Sequence, residues 1–192
     1  MSVLLRNQHY YWIDSAAVSA MECFCKNFRR VLNPKTGMPR PFLHDTEQNR
    51  HCGPLVFLCV GTPLIAGDSL GPRTGSALLN RGIPNVYGTL GAPVHAENIE
   101  LYRKLIKRIY HKPTIIAIDA AIGSPEQEGF ITVRKGALKP GSGLGKRIAP
   151  IGDIEITGIF ENIEKKSCNH LAGFLSRIIS DGIAHFILNS LF

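Results

Sequence analysis

Two aspartates that follow apolar runs are the side chains of this 192-residue sequence best suited to chemistry. Asp68 stands in AGDSLGP, a short loop after the apolar run at residues 55–60, and Asp119 ends the apolar run TIIAID. Two carboxylates in one crevice can share a single proton, so that one acts as a base and the other as an acid. Such a pair can activate water, and we therefore predict Asp68 and Asp119 as catalytic residues.

Each aspartate also has a structural interpretation that the sequence leaves open. Asp68 stands just before a predicted helix, where a carboxylate can cap backbone amides and is favoured by the helix dipole. Asp119 could accept hydrogen bonds from loop amides, because a charge at the end of an apolar strand is costly unless it is exposed, paired or hydrogen-bonded.

A glycine-rich loop and a histidine are the predicted substrate contacts. The loop KPGSGLGKR has three glycines in five residues, so its backbone N–H groups could approach a substrate chain; the alternative is a plain turn between strands. A histidine stands at a predicted helix start in GAPVHAEN, where a packing or capping role is the alternative. The predicted substrate-binding residues are Gly61, Thr62, His95, Gly141, Ser142 and Gly143.

No metal and no other cofactor is predicted for this site. His95 could act as a third ligand beside the two aspartates, but a well-placed cluster of His or Cys donors is lacking. The first strand–helix turn has neither of the glycine-rich nucleotide-binding patterns. The sequence also lacks a G-x-S-x-G elbow, which counts against an α/β-hydrolase serine.

The elements that must position these side chains alternate between strands and helices, which predicts an α/β layer fold. In such folds the reactive crevice lies beyond the carboxyl ends of the strands, so Asp68 and Asp119 should face one cleft. Strands are predicted at residues 55–60, from Asn85, at 114–119, and in GFITVRKG and DIEITGIF. Helices are predicted at 15–32, with Val18, Met21, Cys25, Phe28 and Leu32 on one face, and from Pro72 to about Arg81. Two further helices are predicted at 95–110, with Val94, Leu101, Leu105 and Ile109 on one face, and from Ser167, with a break near Asp181.

Composition and charge restrict the class of protein. Hydrophobic residues make up 44% and charged residues 19%, which excludes intrinsic disorder. The net charge of +7 is a mild basic excess, and we expect neither direct nucleic-acid binding nor a membrane-spanning segment. Five cysteines without a secretory signal favour a cytoplasmic protein with reduced thiols.

Taken together, three motifs resemble those of a known family. GDSLGPRTG, IIAIDA and KPGSGLGKR occur in the same order as in the spore germination proteases, which carry similar L-G-P, A-I-D-A and P-G-S-G segments. NVYGTLGAPVHAEN and APIGDIEITGIF resemble the smaller YyaC-type sporulation proteins in particular. The likeness covers about residues 52–192, and it extends more distantly to hydrogenase maturation proteases.

The resemblance implies a three-layer α/β/α sandwich of the phosphorylase/hydrolase-like, germination-protease-like type, with residues 1–51 as a helix and loop extension. It places the catalytic aspartates of the germination proteases on Asp68 and Asp119. It implies a peptidase of sporulation or germination in the cytoplasm of a sporulating cell or spore, with small acid-soluble spore proteins as candidate substrates. The alternatives are a catalytically silent protein that binds a peptide or partner and a metal-dependent maturation-type endopeptidase; the chain could also be a homo-oligomer.

Overall fold

The fold is an α/β arrangement of a mixed six-stranded sheet and four α-helices, as seen in a computed structural model that describes residues 10–32, 53–140 and 148–189. The strands are β1 (Tyr10–Asp14), β2 (Leu55–Cys59), β3 (Val86–Tyr87), β4 (Thr114–Ile122), β5 (Phe130–Lys135) and β6 (Ile154–Phe160). The helices are α1 (Ala20–Leu32), α2 (Leu70–Asn80), α3 (Ile99–Ile109) and α4 (Cys168–Leu188). The predicted α/β class is confirmed.

The sheet order is β1-β5-β6-β4-β2-β3. The strands β3, β2, β4 and β6 run parallel, whereas β5 pairs antiparallel with β6, and β1 antiparallel with β5. Every residue of β2 and β6 is buried, as expected for strands covered on both faces.

Alternate residues of β2, β3 and β4 enter two separate hydrophobic clusters. Phe57 and the residues two positions before and after it, Leu55 and Cys59, pack with buried side chains of α1, α2 and α4. Val56 and Leu58 point the other way and pack with Ile99 and Ile106 of α3 and with the β5–β6 connection. The helices therefore cover both faces of the sheet, but α3 covers only the part near β2 and β4.

The rotation of α3 differs from the predicted one. Leu101, Leu105 and Ile109 were expected on the inner face, but they are 66%, 38% and 54% exposed. The buried positions are Ile99 and Ile106 instead. The apolar stripe correctly predicted a helix. Its rotation depends on the preceding segment, in which Val94 forms a parallel β-bridge with Val60.

The amino-terminal region also differs from its prediction. The edge strand β1 was not predicted, and α1 begins at Ala20 rather than at Ser15. Phe24 and Phe28 bury into the first cluster, whereas Val18 and Met21, predicted on the inner face with Phe28, are exposed.

The carboxyl-terminal helix α4 is continuous through Asp181 and Gly182, so the predicted break is absent. Within the described residues, α4 is the one helix long and apolar enough to cross a membrane by length and composition. More than half of its most apolar stretch is buried against the rest of the fold, and its Asp181 pairs with Arg81 of α2. Such burial is typical of the core helix of a globular fold.

Candidate functional site

The site lies where the order of the parallel strands reverses. From β2 the chain continues through α2 to β3 on one side, and from there through α3 to β4 on the other side of β2. A crevice forms beyond the carboxyl ends of strands at such a switch point. The segment after β2 brings in Asp68, and β4 brings in Asp119.

Asp119 is not at the tip of its strand, as predicted, but inside it. β4 continues to Ile122 because β6 pairs with it from Ile116 to Ile122, with Thr157 opposite Asp119. On the other side, the ladder to β2 ends one residue earlier, where the Val60 N–H donates to the Ile118 carbonyl at 2.7 Å. Asp119 is therefore the first residue of β4 beyond the end of β2.

Asp68 is held by the loop that follows β2. Its Oδ2 accepts a hydrogen bond from the Thr62 N–H at 2.7 Å. The N-cap of α2 is Ser69, whose side chain makes no capping hydrogen bond to the helix. The carboxylate of Asp68 is thus directed to the loop of Thr62, which favours the crevice interpretation over the capping one.

Gly61 and His95 complete the surroundings of Asp68. The Gly61 N–H donates to the Val94 carbonyl at 2.8 Å, which fixes the segment carrying His95 beside the end of β2. The His95 ring acts electrostatically on Asp68 and lowers its pKa, whereas burial raises that pKa more strongly. The structure thus brings together Asp68, Asp119, Gly61, Thr62 and His95; the predicted contacts Gly141, Ser142 and Gly143 lie outside the described residues.

The two carboxyl groups differ in their environments. Burial raises the pKa of Asp119 well above its ordinary value, and the charge of Asp68 raises it further. Asp68 is less buried, and the Thr62 N–H together with His95 opposes the rise of its pKa. The pKa of Asp119 is therefore raised more than that of Asp68, as in carboxyl pairs whose environments separate the two pKa values.

An ion pair that the sequence analysis missed lies next to Asp119. Glu155 of β6 is 8% exposed and pairs with the Arg134 guanidinium of β5, which stands opposite it in the sheet. The charge of Glu155 also raises the pKa of Asp119. Two residues further along each strand, the hydroxyl groups of Thr132 and Thr157 are hydrogen-bonded at 2.5 Å. The sequence did offer a signal for this ion pair: a glutamate stands inside the apolar strand IEITGIF, and a buried charge requires a partner.

Removing the arginine of this pair should destabilise the fold. Arg134→Met leaves the Glu155 carboxylate buried without its main partner, and we expect a loss of ~1–3 kcal/mol in the free energy of unfolding. The loss stays below that of a fully buried pair because the Arg134 side chain is 34% exposed. Urea unfolding measures it, and Arg134→Met combined with Glu155→Met should recover most of the loss. A single variant as stable as the wild type would contradict the pairing.

Asp119→Asn should stabilise the protein at near-neutral pH. The pKa of Asp119 is raised on folding, so wild-type stability falls as the pH rises from the ordinary value of 3.8 toward the folded pKa. The amide has no such loss. We expect Tm to rise by a few degrees, since 1 kcal/mol corresponds to ~2–4 °C at this size.

Thermal unfolding of both proteins over a pH series tests this expectation. The difference in Tm should shrink toward about pH 3, where the unfolded carboxyl is also protonated. A variant less stable than the wild type at neutral pH would show that Asp119 is ionised and bonded in the folded state.

The described residues give no support to a metal centre. Across residues 10–32, 53–140 and 148–189, no group of three His, Cys, Asp or Glu side chains is placed to hold a metal ion. The chemistry that these residues can perform directly is proton transfer between two carboxyl groups.

Comparison with known proteins gives a family model and a curated relative. A family model described as a protein of unknown function, DUF1256, matches residues 39–181. The uncharacterized protein YyaC of Bacillus subtilis (strain 168) is 40% identical over 108 residues, which are 55% of this chain and 53% of the relative. The chain therefore spans about half the length of the curated relative that it matches. This identity supports the predicted resemblance to the YyaC-type proteins.

Proposed function

The chain belongs to the DUF1256 family, and from its paired carboxyl groups we propose that it is an aspartate-dependent peptidase. The observation that carries this proposal is that Asp119 lies just beyond the end of β2, while the loop that follows β2 holds Asp68 at the same switch point of the sheet. A pair of carboxyl groups with separated pKa values is the arrangement that supplies a base and an acid to one reaction.

In the proposed reaction, ionised Asp68 is the general base. It takes a proton from a water molecule, whose oxygen attacks the carbonyl carbon of the scissile peptide bond. Protonated Asp119 donates its proton to the leaving nitrogen as the carbon–nitrogen bond breaks. Asp68 then releases its proton to solvent and Asp119 takes one up, which restores the starting state. Burial raises the pKa of Asp68, and the Thr62 hydrogen bond and the electrostatic interaction with His95 oppose that rise, which favours the ionised form that a base needs.

The proposed substrates are peptides or proteins, with small acid-soluble spore proteins as the first to test. This choice follows from the resemblance of GDSLGPRTG, IIAIDA and KPGSGLGKR to the spore germination proteases. The same resemblance supports a three-layer α/β/α sandwich of the germination-protease type, and helices on both faces of the sheet are consistent with it. It also supports a place in the cytoplasm of a sporulating cell or spore.

A second function, peptide binding without catalysis, is favoured by the burial of Asp119. Asp119 is only 9% exposed, and its Oδ1 accepts a hydrogen bond from the Ala120 N–H at 2.8 Å. A protonated acid in that position could simply donate a hydrogen bond to a bound chain. Binding would then require the neutral donor but not the ionised Asp68.

The decisive experiment incubates the purified full chain with small acid-soluble spore proteins and follows new amino termini by mass spectrometry. The proposal expects cleavage at defined positions that continues in the presence of a metal chelator. Saturable binding of these proteins without cleavage would support the second function instead.

A further inference from the structure

A groove between α1 and the carboxyl-terminal part of α4 is separate from the carboxylate site. Its volume is about 390 Å³. The family match covers residues 39–181, so α1 precedes it and the last turns of α4 follow it. The groove thus belongs to parts of the chain that the family model does not describe. It is lined by Met21, Glu22, Cys25, Lys26, Arg29, Arg30, His185 and Phe186.

The floor of the groove is a firmly packed helix–helix contact. At Gly182 a Cβ atom would lie 2.4 Å from the Phe24 ring, so glycine is required for the two helices to approach this closely. The Cys25 thiol donates to the Gly182 carbonyl at 3.5 Å, and Phe28 and Phe186 meet edge to face at 5.3 Å. A partner would therefore meet a preformed surface.

The wall formed by α1 is cationic, because three of its lining residues are Lys or Arg. Lys26, Arg29 and Arg30 are all exposed, and in the described part of the chain none of them forms an ion pair with a carboxylate. The Arg29 guanidinium lies 5.7 Å from the centre of the Phe186 ring, and that of Arg30 lies 6.0 Å from the Tyr11 ring. Aromatic rings thus orient two cations but leave their charge uncompensated. Glu22 is the one acid among the lining residues.

We propose that this groove binds an acidic amphipathic helix of a partner protein. Arg29 and Arg30 follow Lys26 by three and four residues, so the charges of both arginines lie one helical turn from that of Lys26, which matches carboxylates one turn apart on a partner helix. Met21 is 40% exposed and offers an apolar contact beside these charges, whereas Phe186 is buried in the floor of the groove. The lining residues of α1 extend from Met21 to Arg30, about 13 Å along the axis, which suits an elongated segment better than a compact anion.

The test measures binding between the full chain and a labelled peptide about 15 residues long. The peptide is designed as a helix with leucines on one face and glutamates one turn apart beside them. Fluorescence anisotropy should show saturable binding that weakens with added salt. Lys26→Glu combined with Arg30→Glu should weaken binding at least ~10-fold, since reversed charges repel the peptide. The matched control is Lys104→Glu combined with Arg108→Glu, the same charge change on exposed positions of α3, which should bind like the wild type.

Three outcomes would overturn the proposal. The first is equal affinity of the groove variant and the α3 control, since attraction would then reflect net charge alone. The second is equal binding of a peptide with glutamine in place of glutamate. The third is displacement of the peptide by a single-stranded oligonucleotide of equal charge at lower concentration, which would assign the groove to nucleic acid. Both variants change only exposed side chains, and their melting temperatures verify that the fold is intact. Loss of peptidase activity in the aspartate variants has no bearing on this result.

Discussion

Asp68→Asn and Asp119→Asn should each lower the rate of peptide cleavage by about 10²–10⁴-fold. The amide keeps the shape of the side chain, but it can neither take a proton from water nor donate one with the acidity of a carboxyl group. The coupling of the two groups adds a sharper expectation: the double variant should be little worse than either single one, because residues that act as a unit are not additive. Initial rates of all three variants at near-neutral pH give the comparison.

Asp14→Asn is the matched control for these variants. Asp14 lies at the end of β1 and accepts the Ala16 N–H through Oδ1 at 2.9 Å, a hydrogen bond that asparagine can also accept. Its replacement should leave the rate unchanged. Full activity in either single site variant would rule out the paired mechanism. Additive losses in the double variant would mean that the two carboxyl groups act in separate steps.

The elements around this pair were predictable because their apolar runs are strong. The strand β2 buries all of its residues and β4 buries its four central ones, and a continuous apolar run of this kind is recognisable from the sequence alone. Their parallel direction follows from the helices between them, and the shared edge of Asp68 and Asp119 follows from that direction. The extension of β4 to Ile122 could not be predicted, because it depends on its pairing with β6, which lies more than thirty residues away in the sequence.

The features that were missed depend on partners distant in the sequence. The strand β1 is five residues long, and its pairing with β5 joins Tyr10 to Arg134. Glu155 is matched by Arg134 only through the register of β5 and β6. The inner faces of α1 and α3 were predicted incorrectly because the apolar residues of each helix span a wider sector than the strip that is buried. Periodicity then identifies the helix but does not determine its rotation.

Gly61→Ala should strongly destabilise the fold around the site. The backbone of Gly61 has φ +135°, and a Cβ atom there would lie 2.1 Å from the Asp68 carbonyl oxygen. Because that oxygen belongs to the backbone, no change of rotamer relieves the clash, and the loop carrying Thr62 must move away from Asp68. We expect a loss of ~3 kcal/mol or more in the free energy of unfolding, which corresponds to a fall of ~6–12 °C in Tm.

Gly82→Ala separates backbone strain from the clash at Gly61. Gly82 has φ +74°, but no heavy atom lies within 4 Å of its Cβ position, so alanine there meets conformational strain alone. We expect that variant to lose only ~1 kcal/mol and to keep its full cleavage rate. Equal losses of stability in the two variants would show that the approach of Gly61 to the Asp68 backbone is not a constraint on the fold. A larger loss at Gly61 together with reduced cleavage would assign Gly61 the role of holding Asp68 in place, rather than the predicted role of binding substrate.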